Sequence, residues 1–186
     1  MVDAARFGNT QTAFVTVGRK GRDFLNRRDK TIKADFSGVK DTPSIGEARE
    51  IAKKAVDLYL DGTFDEVYLI YQEFISAVQQ RPVTKQLLPI PYDTQGEEEQ
   101  KEYLYEPEPE KVLEILLPKY INNVVFQALM EAKASEHGAR MTAMSAATDN
   151  AGEMIDKLVL SFNQARQAAI TREISEIVGG ANALNA

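Results

Sequence analysis

The sequence predicts an α/β protein: a small layered body of alternating strands and helices, followed by one long C-terminal helix. Three observations predict it. Strand-like segments flank a short amphipathic stretch near the start, a Ser-x-x-Glu helix start follows at Ser44, and no proline occurs after Pro118. The body takes residues 1–109 and the helix residues 110–186.

Thr12–Val17 is a β-branched run closed by Gly18. Gly21–Asp29 reads as a short basic helix with Phe24 and Leu25 on its buried side. Thr31–Phe36 alternates apolar and polar residues, as a strand with one buried face does. Ser44 and Glu47 have the spacing of a capping box, in which each side chain satisfies a free amide at the helix start. That helix runs to about Leu60 and buries Ile51, Ala55, Leu58 and Tyr59, and Asp61-Gly62 stops it. Glu66–Phe74 and Pro82–Ile90 are two further strands, expected to pair. Strands alternating with helices favour a layered sheet.

Glu110–Leu117 reads as a helical lead-in, with Pro118 as a first-turn residue of the next helix. Beyond it Ala128, Ala132, Ser135, Ala139, Thr142 and Ala146 step by four and three in turn. That 3.5-residue period suits one half of a supercoiled pair, and the small side chains suit a close neighbour. A bulkier stripe follows at Leu158, Phe162, Ala165, Ala169 and Ile177. From Pro118 to Val178 the helix makes a rod of roughly 90 Å, against a radius of gyration near 16 Å for a compact chain of this size. No second long helical segment occurs in the sequence, so the stripe is expected to need an external partner. Gly138 and Gly152 each weaken the rod by about 1 kcal/mol.

Composition narrows the chemistry. The 186 residues hold 22 Lys and Arg against 28 Asp and Glu, a net charge of −6. This balance argues against nucleic acid as the main partner. No apolar run spans a bilayer, the N-terminus lacks a signal-peptide pattern, and the absence of cysteine excludes disulfides and thiolate chemistry. A soluble cytoplasmic protein is the default expectation. The charge is uneven: +5 over residues 1–40, −10 over 41–110 and −1 over 111–186. The acid concentrates between Gly96 and Glu110, either as a solvated loop or as a docking surface for a basic partner. His137 is the only histidine, and no metal-ligand spacing surrounds it. Gly18-Arg19-Lys20-Gly21-Arg22 follows a strand and opens a helix, but lacks both nucleotide-binding fingerprints. Met130, Met141, Met144 and Met154 read as helix packing. The expectation is a chain without a catalytic site, metal or cofactor of its own.

Ile170–Leu184 (ITREISEIVGGANAL) resembles the C-terminal signature of the γ subunit of F-type ATP synthases. Ala134–Leu158 and Phe162–Ala169 are similar to the same family, and Val15–Phe24 and Tyr103–Tyr120 resemble its globular part. The resemblance implies a Rossmann-like body and a long C-terminal helix that forms half of an antiparallel coiled coil. The family normally begins with a long helix, a strand and a further helix that do not precede Thr10 here. The chain therefore reads as the C-terminal two-thirds of a γ subunit, with the N-terminal γ helix among its expected partners.

The resemblance also implies a function: a central-stalk rotor carrying torque from a proton-driven membrane c-ring to the catalytic β subunits. The implied partners are the α, β and ε subunits and the c-ring, at the cytoplasmic face of a bacterial membrane. Arg140, Arg166, Gln167, Thr171 and Glu173 match the face that meets the β catch loops. Ile174, Ile177, Val178, Ala181 and Leu184 match the apolar bearing tip, and Tyr103 and Glu106 match the foot on the c-ring. Ala128, Ala132, Ser135, Ala139, Thr142 and Ala146 form the coiled-coil seam. The alternatives are a stand-alone coiled-coil interaction protein with a non-catalytic α/β domain, and a small-molecule or nucleotide-binding body.

Overall fold

A computed structural model describes residues 11–91 and 108–184. They form two compact units, Met1–Gly138 and Ala139–Ala186. In chain order the elements are β1 (Phe14–Val17), α1 (Arg19–Asn26), β2 (Ile32–Phe36), α2 (Ile45–Leu60), β3 (Val67–Phe74), β4 (Gln80–Leu88) and α3 (Pro109–Leu184). The first unit reaches into α3 as far as Gly138.

Among the described residues the strands of the α/β body form two separate pairs. β1 and β2 run parallel, joined by α1, with Val17 opposite Phe36. A parallel pair cannot be closed by a tight turn, and α1 supplies the crossover. β3 and β4 form an antiparallel hairpin, with Tyr71 opposite Val83 and Phe74 opposite Gln80. Pro82 lies within β4, a position tolerated because a two-stranded hairpin has only edge strands.

The helix α2 starts and stops as its sequence dictates. Glu47 N–H donates to Ser44 Oγ at 3.2 Å, and Ser44 N–H donates to Glu47 Oε2 at 2.7 Å. Asp61 caps the other end, and Gly62 follows at φ 66°, a left-handed conformation that favours glycine. Its buried residues are Ala48, Ile51, Ala52 and Ala55, spaced i, i+3, i+4, i+7. Leu58 and Tyr59 are half-buried. The helix α3 repeats that spacing with Ile121, Val124, Val125 and Ala128, all buried. The first three join α2 and Leu87 and Leu88 of β4 in one core, with Phe36 and Val39 packed against it. Two helices with the same apolar period thus close on the end of the hairpin.

Two elements depart from their sequence pattern. α1 buries nothing: Phe24 is 52% exposed and Leu25 only half-buried. The βαβ unit has only two strands, too narrow a surface to cover the ring, and Arg28 stacks on it at 3.7 Å from the centroid. The expected break at Pro118 is also missing, since α3 runs through it. Proline frees the carbonyl four residues earlier, that of Glu114. Both residues are exposed, so solvent can satisfy that group.

The hairpin grips α3 at two further points. Ser135 is 3% exposed and its hydroxyl donates to the Gln72 carbonyl at 3.2 Å. A Cβ added to Gly138 would lie 3.1 Å from Ala77 Cα and 3.3 Å from a Phe74 ring carbon. Ala128 and Ser135 are therefore covered by the body, which corrects the expectation that nothing in the chain covers the small-residue stripe. Lys133 adds an ion pair to Asp41 at 3.0 Å.

Ser44→Ala should lower the unfolding free energy by about 1 kcal/mol in urea titration. The Ser44 amide and hydroxyl and the Lys40 amide hold the Glu47 carboxyl below its ordinary value of 4.5. A depressed folded value means stability present above pH 4.5 and lost as the pH falls through it, so the wild-type advantage over Ser44→Ala should shrink in acid. The two helical glycines should behave oppositely. Gly152 has nothing within 4 Å, so Gly152→Ala should raise helicity by circular dichroism and stabilise α3 by about 1 kcal/mol. Gly138→Leu gains similar propensity but meets the hairpin backbone, and should destabilise by roughly 1–3 kcal/mol.

Candidate interaction surface

The second unit consists of α3 from Ala139 onward. Its apolar side chains are mostly more than half exposed: Met141 62%, Met154 64%, Leu158 62%, Phe162 66% and Ile177 71%. Ordinary surface helices carry one apolar stripe, and a helix apolar all round belongs in an interior. At about 100° per residue, Met154, Ile155, Leu158, Val159, Leu160 and Phe162 spread over more than half of the circumference. One neighbouring helix covers one stripe and leaves the remainder wet. This distribution calls for cover from several sides.

The small-residue stripe divides at the unit boundary. Ala128 and Ser135 are buried and Ala132 is half-buried in the first unit. In the second unit Ala139 and Ala146 are exposed and Thr142 half-buried. The polar residues Arg140, Arg166, Gln167, Thr171 and Glu173 are all exposed, as are Ile174, Ile177, Val178 and Ala181. Arg166 and Glu173 lie two turns apart, with Gln167 and Thr171 between them. Leu184 closes the helix. Tyr103 and Glu106, expected as a foot, lie outside the described residues, as does most of the acidic stretch. The stepping by three and four found the small-residue stripe. The apolar spread was missed, although the consecutive Leu158-Val159-Leu160 announces it.

Gly18 takes φ 98°, a left-handed conformation that places the start of α1 directly after β1. Arg22 bonds Asp23 at 3.0 Å and Asp35 at 3.3 Å, while Asp35 also accepts from Thr16 Oγ1 at 2.9 Å. Thr16, Ser37 and Arg22 outweigh desolvation, the largest single influence, and hold the Asp35 carboxyl below its usual value. Arg22 ties α1 to β2, and Asp35 joins β2 to β1 through Thr16. In the hairpin, burial and then the nearby Glu131 and Glu73 carboxylates push the Tyr71 hydroxyl up. Among the described residues no three His, Asp or Glu side chains gather as a metal set, and no helix is long and apolar enough to cross a membrane. An apolar groove is lined by Ile90, Leu116, Leu117, Lys119, Tyr120 and Asn123.

Known proteins share this arrangement. A family profile described as ATP synthase matches residues 2–184. The ATP synthase gamma chain of Heliobacterium modesticaldum is 55% identical over 187 residues, covering 95% of this chain and 64% of that protein. That of Moorella thermoacetica is 57% identical over 172 residues, covering 92% and 61% respectively. The chain thus spans less than two-thirds of the length of these relatives. Among solved structures, the Tetrahymena thermophila mitochondrial ATP synthase central stalk/c-ring matches with a TM-score of 0.56 at 26% identity, covering 73% of this chain and 60% of that one. An α/β body continuing into a long helix, matched along nearly its whole sequence, establishes that the chain belongs to the ATP synthase gamma-chain family.

Proposed function

We propose that the chain acts as the central-stalk rotor (γ) element of a proton-translocating ATP synthase, carrying torque from a membrane c-ring to the catalytic β subunits. The observation that carries this reading is the exposed helix beyond Gly138, whose apolar side chains occupy more than half of its circumference. A ring of α and β subunits provides the encircling cover that such a helix needs.

In this reading the helix is a lever. A partner changes another protein's state only through contacts that differ between its states. An off-axis helix turning within the ring presents different side chains to each β subunit in succession, and so shifts their nucleotide affinities in sequence. Arg140, Arg166, Gln167, Thr171 and Glu173 would contact the β catch loops through polar bonds that break and re-form. Ile174, Ile177, Val178, Ala181 and Leu184 would turn in an apolar sleeve, where few directional bonds oppose rotation. Ala139, Thr142 and Ala146 would continue the seam for an antiparallel second helix, such as the family's N-terminal one. Tyr103 and Glu106 would meet the c-ring, with ε alongside. Phosphoryl transfer would take place in the α and β subunits. The site of action would be the cytoplasmic face of a bacterial membrane, consistent with bacterial relatives.

Co-expression with α, β and a second helix supplied in trans should give a complex that co-purifies with the tagged chain. Ile177→Asp buries an uncompensated charge and should weaken assembly at least ~tenfold, about 1.4 kcal/mol, whereas Arg166→Ala should leave assembly intact and alter ATP turnover. No complex under any of these conditions would sink the reading. The 3.5-residue stripe favours a second reading, a stand-alone coiled-coil protein. A tight homodimer in sedimentation, indifferent to α and β, would support it.

A further inference from the structure

The region around α1 carries an unbalanced charge that the rotor reading does not use. Residues 18–33 hold seven basic and two acidic side chains, a local charge of +5 in a chain of net −6. Arg22 is neutralised by Asp23 and Asp35. Arg19, Lys20, Arg27, Arg28, Lys30 and Lys33 are all exposed, and none forms an ion pair with a described carboxylate. In their midst Phe24 is 52% exposed, with Lys20 one turn before it and Arg27 and Arg28 in the turn after it. Arg28 lies over the ring, so the apolar and cationic parts face outward together.

We propose that this face of α1 and its following turn docks on an anionic lipid bilayer. The inference deepens the reading of a subunit working at a membrane face and rests on it. Two features favour lipid. Half of its unpaired cations are lysines, compact charges suited to a diffuse field and depleted from protein interfaces. An aromatic ring ringed by cations also matches the chemistry of the headgroup boundary, where the ring enters the acyl edge and the cations meet phosphates. Charge acts over about 10 Å at 0.1 M salt, so this local patch can hold a surface that the acidic remainder of the chain repels.

The test is co-sedimentation of the full 186-residue chain with vesicles of phosphatidylcholine alone, or of phosphatidylcholine containing about one-third phosphatidylglycerol. Binding should appear only with phosphatidylglycerol and disappear at about 0.5 M salt, where the screening length is only a few ångströms. Arg27→Glu with Arg28→Glu should lower binding at least ~tenfold, and Phe24→Ser about threefold. Arg49→Glu with Lys53→Glu on α2 makes the same net charge change and should leave binding intact. Equal binding to both vesicle types, equal loss in the α2 variant, or preference for polyglutamate or duplex DNA over the vesicles would overturn the proposal. The salt and lipid arms use the wild-type chain, so misfolding of a variant cannot mask the outcome. Assembly with α and β without vesicle binding would defeat this inference alone, and failure of that assembly would defeat the rotor reading.

Discussion

The packing of one short stretch of α3 determines what the remainder of the helix must do. Ile121, Val124, Val125 and Ala128 repeat the burial spacing of Ala48, Ile51, Ala52 and Ala55, and the two helices share a core with Leu87 and Leu88. That contact fixes both the rotation and the register of α3 in the body. The hairpin extends it, through the Ser135 hydroxyl on the Gln72 carbonyl and the close approach of Ala77 to Gly138.

Energetics differ sharply along the same helix. Residues near Val125 gain about 1.5–3 kcal/mol for each large apolar side chain buried. Leu158, Phe162 and Ile177 gain little of this, being more than half exposed. Helix propensity alone is marginal in water, and most helical stability in proteins comes from a packed face. Gly152 and the Gly179-Gly180 pair weaken the exposed part further. Its apolar side chains stay exposed, spread around more than one side of the helix. The proposed rotor reading uses this division, with the body holding one part of the helix and the exposed part left for contacts with other subunits.

Local chemistry was legible in the sequence wherever both partners lie within a few residues. The capping box at Ser44 and Glu47, the stop at Gly62 and the β3–β4 pair follow from spacing alone. Phe24 misled because an amphipathic pattern reports which side could be buried, and not whether a surface exists to bury it. Pro118 misled because its cost is local, whereas α3 is held by packing from Ile121 onward. The small-residue stripe shows the limit of local spacing. Its period is visible in Ala128, Ala132 and Ser135, but the hairpin that covers them lies some sixty residues away in sequence. The polar candidates on the second unit, Arg166 to Glu173, came from resemblance, and nothing in their spacing alone distinguishes them from solvated helix residues.

The claim that α3 is anchored by its first part and covered from outside along its second is tested most directly by amide hydrogen exchange. Peptides from 121–135 and from 139–181 should be compared in the isolated chain and in its assembly with α and β. Opening free energies follow local packing, so 121–135 should be protected in both states. Peptides from 139–181 should exchange rapidly alone and slow at least ~hundredfold on assembly. Strong protection of 139–181 in the isolated monomer, or no slowing on assembly, would contradict the account.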